Sequence, residues 1–363
     1  MAVVAKVAQP IGAAEFSAAM ASCLADGAPW PAAVAVSGGS DSLALMLLIA
    51  GWAQAASRPL PIVLTVDHGL TAQSKEVARA VVREARRSGL EAHALVWRGP
   101  KPSADIEAEA RAARYALMGQ WCAAHDMRAL FAAHTLDDQA ETFLLRLARG
   151  SGLDGLSAMR AVSAYHIPGF AQIKVVRPLL GIRRAALRHF LASSNVAWFE
   201  DPMNDDPKFA RVRVRQAWPL LEDIGLSPER IAAASGHLAR AREALESATE
   251  GFLDKACRFE PDRAVVDGTL LGRVSSEVGL RALACILSRL SGTAYRPRFE
   301  RLQKLYLAIR SGELRTARTL HGCRVGRAAK SAAIFGPETL VVTRERDRMS
   351  VRKDGVAASS QIS

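Results

Sequence analysis

Apolar positions in the first 200 residues follow two alternating periods. Short continuous runs, PAAVAVS at 31–37, PIVLTVD at 61–67, EAHALVW at 91–97, RALFAAH at 128–134 and QIKVVRPLL at 172–180, read as strands. Each is followed by a stretch with helical spacing, at 41–56, near 73–88, at 104–125, 137–149 and 182–194, and a further helix is expected at 11–27. Strands separated by helical crossovers imply an α/β fold, a doubly wound parallel sheet covered on both faces. The pattern changes in WFEDPMNDDPKFARVRVRQAW at 198–218, where prolines and acidic residues give way to alternating arginines. From about 227 it is helical again, with more helices near 275–291 and 298–310, and 315–343 breaks into short β-like pieces at Gly322, Gly326 and Gly336. The expected organisation is a first domain at 1–217, a smaller and mainly helical domain at 218–345 ending in a short β segment, and a basic, disordered tail at 346–363.

In doubly wound sheets ligands lie beyond the carboxyl ends of the strands, where strand order reverses. Three of the strand ends here carry chemically capable residues. After the first comes Ser37-Gly38-Gly39-Ser40-Asp41-Ser42. Its glycines permit a tight turn and close approach of a phosphate, the serines add hydroxyl donors, and the next helix turns its free N–H groups toward the turn. The loop lacks the lysine of a Walker A motif. After the second strand comes Asp67-His68-Gly69, which suits either a nucleotide contact or a helix-capping turn. After the fourth come His134, Asp137, Asp138 and, one turn on, Glu141. Either aspartate can cap the helix; Asp137 is assigned the cap, and the remaining carboxylates exceed what a cap needs. Hard oxygen ligands near a triphosphate imply Mg²⁺, with Asp41, Asp138 and Glu141 as candidates. Arg111, in a helix at i+4 from Glu107, is either a solvated ion-pair partner or a fixed charge facing phosphates.

Composition adds partners rather than fold. Half of the 363 residues are hydrophobic, enough for a sizeable core, and the net charge of +12 points to nucleic acid or another anionic surface. Arg211, Arg213 and Arg215 would share one face if extended, as a phosphate-binding or solvated edge strand. Five scattered cysteines form no C-x-x-C pair, which argues against a zinc ribbon or cluster ligand set. No apolar window approaches the length of a membrane span, so no membrane partner is expected and a reducing cytoplasm is the expected setting.

Taken together, SGGSDS, VDHG, the IEAEAR stretch, AHTLDDQAET, Arg177-Pro178-Leu179-Leu180 and EDPMNDDPKFARVRVR resemble the tRNA(Ile)-lysidine synthetase family of the PP-loop ATP pyrophosphatases. The matches run in order from Ser37 to about Arg215. The resemblance implies that ATP adenylates carbon 2 of the wobble cytidine of tRNA(Ile), after which free L-lysine displaces AMP to give lysidine. It implies an ATP site at Ser37–Ser42 with Asp67 and His68, and catalytic roles among Asp41, Arg111, His134, Asp137 and Asp138. It also implies tRNA contacts at Arg211, Arg213 and Arg215, with the oligomeric state open between monomer and homodimer. The chain departs from the family in having Thr135 where a second histidine is common, Asp105 where asparagine is common, and a shorter C-terminal part. Alternatives are another PP-loop tRNA-modifying enzyme, an amide-forming ligase, or an RNA-binding protein with a vestigial loop.

Overall fold

A computed structural model describes residues 10–99, 101–102, 106–200, 206–293 and 295–345. Asp105, residues 201–205 of the EDPMNDDP stretch, the Glu107 side chain and the tail from 346 lie outside the described residues. The chain divides into two compact units, Met1–Ala239 and Arg240–Ser363.

In the first unit the helix α1 (Ala13–Ala25) precedes β1 (Ala33–Ala35), α2 (Ser40–Ala55), β2 (Ile62–Asp67), α3 (Ser74–Arg87) and β3 (Ala92–Val96). There follow α4 (Ile106–Ala124), β4 (Ala129–Phe131), α5 (Leu136–Leu147), α6 (Leu153–Leu156), β5 (Val162–Ala164), β6 (Lys174–Val176), α7 (Arg184–Ser193) and α8 (Ala210–Asp223). The sheet order is β3-β2-β1-β4-β6-β5, parallel throughout except for the edge strand β5, which runs antiparallel to β6. β1 is hydrogen-bonded to β2 on one side, with Val34 opposite Val63, and to β4 on the other, with Val34 opposite Phe131. Chain order reverses across β1, so the β1–β4 gap is the switch point at which the SGGSDS and HTLDD loops emerge together.

Burial explains why this arrangement is fixed. One apolar cluster joins Phe16, Met20, Leu45, Ile49, Phe131 and Leu187 from α1, α2, β4 and α7, and a second gathers Leu64, Tyr115, Met118, Leu130, Ile173 and Val175. α2 is rich in Leu, Ala and Met, good helix formers, and buries ten of its sixteen residues, so it sits as a nearly all-round apolar rod under the loop it follows.

The helix α9 (Pro228–Ala256) begins in the first unit and ends in the second. The division thus falls inside a helix at Ala239/Arg240, not at the 217/218 boundary expected from composition. Residues 198–218 change in composition but α8 still packs against α5, which keeps them in the first unit. The second unit continues with β7 (Cys257–Phe259), β8 (Arg263–Asp267), α10 (Gly268–Arg273), α11 (Ser276–Ser291), α12 (Phe299–Arg310), β9 (Arg318–Leu320), β10 (Cys323–Arg327) and β11 (Thr339–Arg344). Its strands form an antiparallel sheet in the order β7-β8-β11-β10-β9. The expected β segment is present at the end, and two strands precede the helices as well. α11 and α12 pack on the sheet around the buried Tyr306, whose ring lies so close to Gly279 that any Cβ there would collide with it.

Candidate active site

The two loops at the switch point end in helices with opposite N-termini. α5 is closed. Its N-cap is Thr135, whose hydroxyl accepts from the Asp138 N–H at 3.2 Å while the Asp138 carboxylate accepts the Thr135 N–H and O–H, each at 2.9 Å. This capping box consumes the donors that an anion would use. α2 is open: Gly39 is its N-cap and supplies no side chain, so its first N–H groups face outward with the positive end of the helix dipole.

The loop before α2 is braced from within. The Ser42 hydroxyl donates to the Gly39 carbonyl at 2.9 Å and accepts the Ser37 N–H at 3.1 Å. Gly38 has φ +91°, and a Cβ there would meet Val77 Cγ1 at 2.7 Å, whereas a Cβ on Gly39 would find only Ser37 Oγ at 3.8 Å. Gly38 therefore builds the turn, while Gly39 keeps a cradle empty. Gly38→Ala is expected to lower the melting temperature, and Gly39→Ala to leave it unchanged while weakening ATP binding by about tenfold or more. Thermal unfolding and ATP titration of the two variants check this.

A cavity of about 700 Å³ opens over this loop. Ser37, Gly39, Ser40, Asp41 and Ser42 line it, with Leu64, Val77 and Ala78 as an apolar wall, and His68, Arg111, Arg114, His134, Arg184, Arg188 and Arg215 around its rim. The structure thus brings together most of the residues expected from sequence. Asp67 is an exception: its carboxylate accepts from Ser74 Oγ at 2.6 Å and the Gly69 N–H at 3.1 Å, which makes it the brace of the turn rather than a wall of the cavity. Asp137 is neither cap nor cavity wall. It accepts from the Arg184 N–H at 2.7 Å and from Arg183 Nε at 3.2 Å, and so ties α5 to α7.

Arg184 is the centre of the site, and its role is not evident from the motifs. Its Nε reaches Asp41 at 2.8 Å, one terminal nitrogen reaches Asp138 at 3.1 Å and the other Glu141 at 3.3 Å. One signal was available: Arg183 and Arg184 stand at the N-terminus of a helix whose first turn has no acidic residue. Two cations at the positive end of a helix dipole are unfavourable unless carboxylates from elsewhere meet them.

The arginine alternation is also corrected. Residues 211–215 lie in α8, not in an extended edge, so positions four apart share a face and the residue between them turns away. Arg215 Nε meets Glu141 at 2.7 Å, and Arg211 approaches Asp138 at 4.0 Å. Arg213 instead donates to the carbonyls of Pro207 and Lys208 at 2.8 and 2.9 Å. Arg215→Gln, which leaves the fully buried Glu141 with fewer donors, should therefore destabilise the protein by about 2–4 kcal/mol, and Arg213→Gln by less than about 1 kcal/mol. Urea titration of each variant measures the difference.

These pairings decide which carboxylates suit a cation. Both Glu141 oxygens hold guanidinium groups and the residue is fully buried, and the Asp138 oxygens are divided between Arg184 and Thr135. Neither fits the metal-ligand role expected from sequence. Among the described residues no group of three His, Cys, Asp or Glu side chains is arranged to hold a metal ion. Asp41 lines the cavity, and among the described residues its Oδ1 accepts only from the neighbouring Ser40 hydroxyl, at 3.3 Å.

Electrostatics follow the same division. Burial raises the Asp41 carboxyl above the usual carboxylate range, with Arg184 opposing it. Burial also works against the Asp138 charge, but Arg184 and the Thr135 donors outweigh it and hold that carboxyl low. His134 is pushed below the usual imidazole range by burial and then by Arg177, so it is neutral near pH 7. Its Nδ1 is buried without a hydrogen-bond partner among the described residues.

Comparison with known proteins fits this geometry. The PP-loop domain family matches residues 14–220. The tRNA(Ile)-lysidine synthase of Anaplasma marginale (strain St. Maries) is 35% identical over 81% of this chain and 62% of its own length. That of Ruegeria pomeroyi (strain ATCC 700808 / DSM 15171 / DSS-3) is 38% identical over 76% and 65%. That of Methylobacterium nodulans (strain LMG 21967 / CNCM I-2342 / ORS 2060) is 39% identical over 82% and 86%. The chain spans less than two thirds of the length of the first two relatives. With more than half of its residues matched by the PP-loop domain, and a 39%-identical relative covered over 86% of its length, the chain belongs to the tRNA(Ile)-lysidine synthase family of PP-loop proteins.

Proposed function

We propose that the protein joins lysine to carbon 2 of the wobble cytidine of a tRNA(Ile) with a CAU anticodon, through an adenylated tRNA, releasing pyrophosphate and AMP. The observation that carries this reading is the uncapped N-terminus of α2, with its glycine cradle, facing a cavity rimmed by arginines. That arrangement suits a polyphosphate, and the cavity volume of about 700 Å³ leaves room for a nucleotide and a reacting base.

The residues divide the two steps between them. Amides at the start of α2 and the Ser37 and Ser40 hydroxyls bind the phosphates, and Arg111 faces them from α4 with its guanidinium 5.1 Å from the Tyr115 ring centre. The nucleophile of the first step is the cytosine carbonyl oxygen, a weak one, so positioning supplies much of the rate. Mg²⁺ would be held by Asp41 together with phosphate oxygens, and it would neutralise charge on the departing pyrophosphate. Arg184 keeps Asp41 in place by its ion pair. In the second step the lysine amine must give up a proton. His134, which lines the cavity and is held neutral by burial, is a group that can accept it.

His134 also sets an expected pH effect. A histidine kept neutral in the fold has a folded pKa below its unfolded value, so its contribution to stability is present above about pH 6.5 and is lost as pH falls toward the folded pKa. His134→Gln should therefore flatten the acid loss of stability below about pH 6.5 while slowing lysine transfer. Urea midpoints between pH 5 and 7.5 read the first effect, and single-turnover transfer from preformed adenylate reads the second.

The order of substrates tests the function. Pyrophosphate release from ATP should require a tRNA bearing a CAU anticodon and should proceed without lysine. Release that needs lysine and is indifferent to tRNA would instead indicate a ligase that activates the amino-acid carboxylate.

A further inference from the structure

The excess positive charge concentrates in one stretch of the second unit: residues 291–330 hold ten Lys or Arg against two Glu. α12 runs through this stretch. It turns Leu302, Leu305, Tyr306 and Ile309 into the core and leaves Arg301, Lys304 and Leu307 outside. At its N-terminal end Tyr295 is 84% exposed and Phe299 62% exposed, the two aromatic residues among the exposed large hydrophobics of the described chain. The side chains of Arg298 and Arg301, adjacent in sequence and exposed, make no hydrogen bond or ion pair among the described residues. At the other end of the same helix lies a hollow of about 650 Å³ lined in part by Lys304, Arg310 and Arg318.

Two exposed rings close in sequence to Arg298 and Arg301, with a basic hollow at the far end of the helix, match one partner chemistry. Bases stack on exposed aromatic faces, and the backbone phosphates they carry meet guanidinium groups a few ångströms away. Resting on the reading of the substrate as a tRNA, we propose that Tyr295 and Phe299 are stacking platforms for unpaired nucleotides of the RNA, with Arg298, Arg301, Lys304 and Arg318 holding its phosphates. The helix axis, about 18 Å long for twelve residues, sets the length of the track. An RNA duplex, whose bases are already stacked, would use the arginines and leave the rings bare.

The test is fluorescence anisotropy on the full chain with two labelled probes, a ten-residue oligouridylate and a blunt RNA duplex. Tyr295→Ala/Phe299→Ala should raise the dissociation constant for oligouridylate by about tenfold or more and leave that for the duplex within about twofold. Arg298→Gln/Arg301→Gln should weaken both probes and flatten the salt slope for oligouridylate by about 1.4. Both variants alter exposed side chains, so unchanged thermal unfolding is expected and is measured alongside. Unchanged oligouridylate binding by the aromatic variant, or an equal loss for both probes, would overturn the proposal. Lysine transfer to tRNA by the parent protein is assayed in parallel. Transfer with unchanged binding by the aromatic variant overturns the stacking platform and leaves the activity. Selective loss of oligouridylate binding in a protein that transfers no lysine supports the platform and removes the activity.

Discussion

Replacing Arg184 with alanine is expected to lower the stability of the protein by about 3–5 kcal/mol and to abolish pyrophosphate release. The guanidinium touches Asp41, Asp138 and Glu141 at once, and its removal leaves three largely buried carboxylates sharing Arg215 and the more distant Arg211. Buried carboxylates without counter-charge take up protons, so their folded pKa values rise above the unfolded value of about 4. A group with a raised folded pKa binds more protons folded than unfolded, and stability then falls as pH rises. The variant should therefore unfold at steadily lower urea concentration between about pH 4.5 and 7.5. Lysine at this position restores one pairing at most, because an ammonium lacks the planar fork that reaches three partners. A variant with a pH-independent urea midpoint equal to that of the parent would mean that Arg184 neutralises nothing.

Asp41→Asn is expected to separate activity from stability. Burial disfavours the Asp41 charge, so the native fold bears it at a cost at neutral pH. Removing the charge while keeping the side-chain shape should leave the melting temperature unchanged or slightly higher. It should nonetheless reduce pyrophosphate release by a hundredfold or more, roughly the scale of losing one preorganised electrostatic contact to a departing phosphate. A loss of melting temperature in step with the loss of rate would make Asp41 a structural residue. Calorimetry and pyrophosphate release on the same preparation distinguish the outcomes.

The parallel sheet and the Ser37–Ser42 turn between its first strand and helix were legible in the sequence because each rests on local signals. Largely apolar runs such as AAVAV and IVLTV are long enough to mark strands, and Ser-Gly-Gly-Ser at a strand-to-helix junction has few structural uses. The edge strand at Val162–Ala164 was not legible, since it is three residues long and half exposed. The Cys257–Asp267 hairpin was hidden by the helical pattern leading into it, although Pro261-Asp262 marks its turn. The arginines of 211–215 misled for a different reason: strict alternation mimics a strand, and only the positions of Asp138 and Glu141 on α5 reveal why a helix forms there. Spacing within a motif likewise cannot reveal partners from another element. The capping role of Asp138, the tie from Asp137 to α7 and the three-way reach of Arg184 are all tertiary, and each reassigns a residue from chemistry to architecture or the reverse.

Lysidine formation is tested most directly by nucleoside mass spectrometry of tRNA(Ile) with a CAU anticodon after incubation with the protein, ATP and lysine. The expected result is conversion of the wobble cytidine to a lysine adduct, dependent on ATP and absent with Asp41→Asn. An unmodified cytidine in the presence of an active control enzyme, or an adduct formed without ATP, would contradict it.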